Sequence, residues 1–170
     1  MSNLPTELLI STVMVSLTVV VHLAGLDLLL SLTGLHLKLF KTPWARIDRL
    51  LVPLGIALGL FVLHGLEIWL YALAYRLLGI LPDLEQALYV STSAYSTVGE
   101  AGAALPPPWR VLGVLEAVNG MLLLGWSTAF LFRILDHLQA EQQHPLPRGA
   151  ISRSPPTGGR RRIQPPASEG

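Results

Sequence analysis

The apolar positions of this chain come in long unbroken runs, not in the one-sided stripes of an amphipathic helix or the alternation of a strand. Three runs, Leu8 to Leu32, Leu50 to Leu78 and Val111 to Leu135, each exceed the roughly 20 residues that cover a ~30 Å hydrocarbon core. Each predicts a transmembrane helix. The first has no basic leader or small-residue cleavage site and outruns the apolar core of a signal peptide, so it is expected to stay in the mature chain. Pro53 falls near the beginning of the second run, where a missing N–H costs little, and is expected to mark its start.

A fourth apolar segment, Leu84 to Tyr95, has 12 residues, too few to cross but suited to a re-entrant or interfacial helix. Pro82 precedes Asp83, and Asp83 with Gln86 three residues later reads as an N-cap with a capping box, so the helix is expected to begin there. It is expected to end before Gly99. From Gly99 to Trp109 the chain holds two glycines and the three consecutive prolines Pro106, Pro107 and Pro108. Irregular backbone of this kind is excluded from contact with lipid and has to be covered by protein or line water. The expected fold class is therefore an all-α membrane protein, with three transmembrane helices plus a re-entrant pore helix and filter loop.

Composition agrees with that class. Of 170 residues, 51% are apolar and 14% charged, and the mean hydropathy is +0.52, outside the range of ordinary soluble domains. With no cysteine, a disulfide framework and thiolate metal sites are excluded. A formal net charge of +1 gives no reason to expect a nucleic-acid partner, and no soluble partner is identifiable.

The layout of charge sets an orientation. Lys38, Lys41, Arg46 and Arg49 lie between the first two runs, and Arg133, Arg148, Arg153, Arg160, Arg161 and Arg162 lie at or after the end of the third. Only Arg76 and Arg110 flank the short segment. Three spans bring the two basic regions to one side, so the positive-inside rule gives an outside N-terminus, a cytoplasmic tail and an outside re-entrant segment. A multi-pass protein of the plasma (inner) membrane is expected. The stretch from Trp44 to Leu50 reads either as a short interfacial helix or as a polar loop. From about Gln139 to Gly170 the chain is rich in Pro, Gly, Ser, Arg and Gln and is expected to be disordered. Its arginine run, shorter than the four to eight cations of a lipid-reading cluster, favours simple retention on the cytoplasmic side over headgroup recognition. The expected organisation is an additional N-terminal helix over 1–35, a basic loop over 36–49, a pore module over 50–138 and a tail over 139–170.

The segment Ala87 to Gly102, ALYVSTSAYSTVGEAG, resembles the pore helix and selectivity filter of the potassium channel family, whose filter reads TVGYGD. Thr97, Val98 and Gly99 match its opening. Outer helix, pore helix, filter and inner helix follow in the family order from about Leu50 to Leu135, and Gly120 falls where family inner helices carry a hinge glycine. The resemblance implies a homotetramer in the bilayer and, with no cofactor, a permeant monovalent cation, potassium in the first instance. It also makes Tyr89 a candidate brace for the filter, with Ser93 beside it, although plain packing would place Tyr89 alike.

Glu100, Ala101 and Gly102 depart from the family pattern, standing where it has Tyr, Gly and Asp. An L-residue such as Ala101 adopts the left-handed backbone of that glycine only at a cost of ~1–2 kcal/mol. Four Glu100 carboxylates some ~5 Å apart around an axis would repel by roughly 3 kcal/mol per adjacent pair at an effective dielectric near 20. Such a ring attracts cations and resembles the acidic filters of non-selective members of the family. The alternative is that Glu100 turns away to cap the pore helix or pair with Arg110. A non-conducting assembly or regulatory subunit is the corresponding alternative function.

Five ionisable residues fall within the apolar runs: His22, Asp27, His64, Glu67 and Glu116. Intramembrane ionisable groups are functional candidates by default. His64 and Glu67 share a helical face, and with His22 and Asp27 they form either a proton or metal site or, as is commoner, a polar pair that holds two helices together. Glu116 and Asn119 would face the pore or the pore helix. Gly113, Gly120 and Gly125 permit close helix approach, and Trp69, Tyr71, Tyr75 and Trp109 are candidate interfacial anchors. No phosphate loop, nucleophile triad or zinc motif is present, and catalysis is not expected.

Overall fold

A computed structural model of the chain describes residues 4–39, 45–99 and 103–142. The order is α1 (Leu4–Leu39), α2 (Ala45–Leu77), α3 (Leu84–Tyr95), a single 3-10 turn (Pro107–Trp109) and α4 (Arg110–Gln142). Among the described residues three stretches, Leu4–Leu35, Leu51–Leu77 and Pro107–Asp136, are long and apolar enough to cross a membrane. α3 packs against both α2 and α4, and α1 packs against the same two helices.

The long helices overrun the apolar runs that predict them. Hydropathy measures the hydrocarbon thickness, whereas the backbone stays helical until a residue opposes it, and Arg or Lys do not. The basic segment over 36–49 is accordingly narrowed from both sides by helix, and residues 45–50 are the first turns of α2 instead of a separate interfacial helix. Pro53 lies inside α2, beyond its first turn, and not at its start. Trp44 and residues 143–170, most of the expected tail, lie outside the described residues.

The distribution of polarity is inverted relative to a soluble domain. Leu54, Leu58, Phe61, Val62, Leu66 and Trp69 of α2 are exposed, whereas Glu7, Ser11, Thr18, His22, Glu67, Ser91, Glu116, Asn119 and Ser127 are buried. In hydrocarbon an apolar surface is the solvated one, and polar groups are retained by pairing inside the bundle. Apolar packing fills the space between the polar contacts, with Tyr71, Ala72, Tyr75, Ala87, Val90, Leu105 and Leu112 in one cluster. Leu26, Val52, Ile56, Leu60 and Leu63 form another between α1 and α2.

One polar contact closes the bundle at the start of α4. The first N–H groups of a helix have no intrahelical partner. Here Glu7 Oε1 accepts from Val111 N at 2.7 Å and from Leu112 N at 3.1 Å, so a carboxylate of α1 caps α4 across more than 100 residues of sequence and meets the positive end of its dipole. Glu7→Ala is expected to lower stability in detergent micelles by about 1–3 kcal/mol. Glu85→Ala, which removes an exposed carboxylate from the first turn of α3, is expected to cost under about 1 kcal/mol. Equal effects of the two changes in thermal unfolding would contradict the cap.

Candidate pore segment and the polar network behind it

α3 begins as its sequence predicts. Asp83 has an extended backbone (φ −137°, ψ 163°) and its Oδ1 accepts from Gln86 N at 2.7 Å, satisfying one orphan donor. Its buried positions, Ala87, Val90, Ser91, Ala94 and Tyr95, recur at three- and four-residue intervals and form one face. Tyr89 is on the opposite face and 74% exposed, turned away from the side of α3 that packs against α2 and α4.

After Tyr95 the chain turns sharply. Thr97 N donates to Ala94 O at 3.0 Å, and Val98 N and Gly99 N both donate to Ser93 O at 3.2 Å. Thr97 has φ +56°, the one positive φ of a non-glycine residue among those described, at a cost of roughly 1–2 kcal/mol. A Cβ on Gly99 would lie 1.8 Å from Ser93 Oγ, so Ser93 backs this turn through both its carbonyl and its hydroxyl. Thr97, Val98 and Gly99 are exposed, and no hydrogen bond among the described residues reaches the carbonyls of Thr97 or Val98. Glu100 and Ala101, the remaining expected filter positions, lie outside the described residues.

The C-terminal end of α3 is fixed from two sides. On one, a Cβ on Gly120 would lie 2.4 Å from the Tyr95 carbonyl oxygen and 2.9 Å from its Cγ, so the absent side chain admits α3 against the middle of α4. Gly113 is buried, but the space around Gly125 is open. On the other side the Tyr95 hydroxyl donates to Glu67 Oε2 and lies 2.9 Å from His64 Nδ1, both midway along α2.

Glu67 is the centre of this network. His22 Nδ1 of α1 is 2.9 Å from Glu67 Oε1, and His64 Nδ1 is 3.2 Å from Oε2. With the carboxylate as acceptor, the His22 proton is on Nδ1, leaving Nε2 to accept from Ser127 Oγ of α4 at 3.4 Å. One carboxylate thus gathers α1, α2 and α3, and through His22 reaches α4. Buried His64 Nε2 has no hydrogen-bond partner among the described residues.

A second network lies beside it. The Tyr75 hydroxyl donates to Glu116 Oε2, and Ser91 Oγ is 2.5 Å from Oε1 and 2.9 Å from the Ile68 carbonyl. Asn119 Nδ2 donates to Thr18 Oγ1 at 2.8 Å and approaches the Tyr71 hydroxyl at 3.4 Å. Glu116 therefore faces α2 and α3, and Asn119 faces α1 and α2. Asp27 joins neither network and is exposed on α1. Tyr71 and Tyr75 are fully buried, which removes them from the interfacial anchors, whereas Trp69 is half-exposed.

The sequence pairs His64 with Glu67 and links His22 to them, but it gives no sign of Glu7, Thr18, Tyr95 or Ser127 as partners. The signal available for Tyr95 was its register: it lies four residues after Ser91, on the same face of α3. His22, His64 and Glu67 offer three metal-ligating atoms within 4.8 Å of one another. No protein-family model, curated protein or solved structure matches the chain.

Gly120 and Gly125 separate close packing from helix propensity. Gly125→Ala is expected to leave stability unchanged or raise it by up to about 1 kcal/mol. Gly120→Ala is expected to lower it by about 1–3 kcal/mol by driving α3 from α4. Chemical unfolding in micelles measures both, and a stabilising Gly120→Ala would contradict the contact.

Proposed function

We propose that the chain is a subunit of a tetrameric cation channel, with a potassium-channel-like pore in which α2 is the outer helix, α3 a re-entrant pore helix and α4 the inner helix. The observation that carries this reading is the end of α3. Tyr95 abuts the middle of α2 and the middle of α4, and the chain then turns sharply at the exposed residues Thr97 to Gly99, where no hydrogen bond from the described residues reaches the carbonyls of Thr97 or Val98. At that depth of a bilayer, carbonyls without donors have to meet water, protein or an ion. Four copies around an axis would supply a ring of such oxygens to replace the hydration shell of a cation.

The backbone strain at Thr97 and the seat of Gly99 on Ser93 favour a shaped turn over a loose loop. In this reading Thr97, Val98 and Gly99 ligate the ion and Glu100 supplies negative charge at the outer side of the filter. Because Glu100 and Ala101 replace the family's aromatic and glycine, selectivity among monovalent cations is weaker than in the family, with potassium still permeant. The N-terminus lies outside and the tail in the cytoplasm of a plasma membrane, as the distribution of arginine and lysine favours.

Reconstitution into potassium-loaded liposomes with a flux-sensitive dye tests the reading. Potassium efflux is expected for the unaltered chain, and Glu100→Lys is expected to lower it at least tenfold by placing four positive charges at the filter. Absence of flux in any monovalent salt would contradict a channel. Flux insensitive to Glu100→Lys but abolished by His64→Ala would point instead to a carrier built on the buried histidines.

A further inference from the structure

The pore reading makes no use of the two histidines and the carboxylate that join α1 to α2. We infer that His22, His64 and Glu67 form a binding site for a divalent first-row transition ion of the zinc type, which clamps the additional N-terminal helix to α2 behind the pore helix. This inference does not rest on ion conduction.

The donor set and its geometry both fit. Imidazole nitrogen and carboxylate oxygen are ordinary ligands of zinc and its neighbours, at about 2.0–2.2 Å from the ion. Tetrahedral ligands at those distances stand about 3.3–3.5 Å from one another. His22 Nδ1 and Glu67 Oε1 are 2.9 Å apart, His64 Nδ1 and Glu67 Oε2 are 3.2 Å apart, and ligand atoms from all three residues lie within 4.8 Å of one another. Small side-chain shifts would therefore centre an ion. Both imidazoles turn the same nitrogen, Nδ1, to the carboxylate, and their ring centroids are 5.4 Å apart.

The surroundings favour an ion over a bare hydrogen-bonded pair. A metal at His22 Nδ1 puts the ring proton on Nε2, where Ser127 Oγ at 3.4 Å becomes its acceptor, the outer-shell arrangement that fixes the tautomer of ligating histidines. The Tyr95 hydroxyl, 2.9 Å from His64 Nδ1, offers an oxygen as fourth ligand. The ligands come from α1 and from two positions three apart on α2, so an ion held here would cross-link two helices that otherwise meet through apolar contacts.

Titration of the untagged full chain with cobalt(II) and zinc(II) in nanodiscs tests the inference. One ion per chain is expected, with the intense visible absorption of tetrahedral cobalt in a nitrogen and oxygen site and its displacement by zinc. His22→Gln, His64→Gln and Glu67→Gln are each expected to weaken binding at least a hundredfold, and Ser127→Ala about tenfold. A triple replacement of His36, His137 and His144 by alanine is expected to leave the spectrum unchanged. Because a buried replacement can unfold the bundle, the unaltered chain is read first: no bound cobalt, or the weak absorption of six-coordinate cobalt, overturns the inference. So does binding lost with the triple replacement and kept in the three glutamine variants.

Discussion

A carboxylate among apolar helices is tolerated only if its oxygens are paired, and the pairing of Glu67 organises the rest of this molecule. Its Oε1 takes His22 from α1, and its Oε2 takes Tyr95 from α3 together with His64 from its own helix. Removing any one partner leaves a buried polar group facing hydrocarbon, a penalty larger than the net worth of the bond itself. The arrangement is therefore specific as well as cohesive. In lipid, apolar surfaces have little preference for one another, so polar contacts of this kind decide which helix lies beside which.

The same logic extends along the bundle. Glu7 caps α4, Asn119 reaches α1 and α2, and Glu116 holds Ser91 of α3 and Tyr75 of α2. At each level a side chain from one helix satisfies a group on another, and the apolar clusters fill the intervals. The Gly120 contact then lets the end of α3 approach α4 closely enough for Tyr95 to reach Glu67. The exposed turn at Thr97 to Gly99 is positioned by these contacts and not by its own hydrogen bonds alone.

The three long helices were legible in the sequence because a continuous apolar run of more than 20 residues has few other meanings, and the start of α3 because Asp83 and Gln86 have a defined capping geometry. Helix ends were less legible: arginine-rich turns at the start of α2 carry no breaker, and Pro53 sits within the helix instead of opening it. A polar pairing between the first two spans was one alternative from polarity alone, but polarity did not show that it would join His22 to Glu67 and leave Asp27 out. Tyr71 and Tyr75 were misread as interfacial, since an aromatic hydroxyl gives the same signal at a membrane surface and inside a bundle. Glu7 and Ser127 were invisible because their partners are more than 100 residues away, and nothing local marks such a contact.

The central claim is that Tyr95 fastens the end of α3 to Glu67 midway along α2. A double-mutant cycle with Glu67→Gln and Tyr95→Phe, read by reversible unfolding in micelles, measures that contact alone. The structure predicts a coupling of about 1–3 kcal/mol between the two changes. Additivity to within about 0.5 kcal/mol would mean that the two groups do not meet, and would contradict the account.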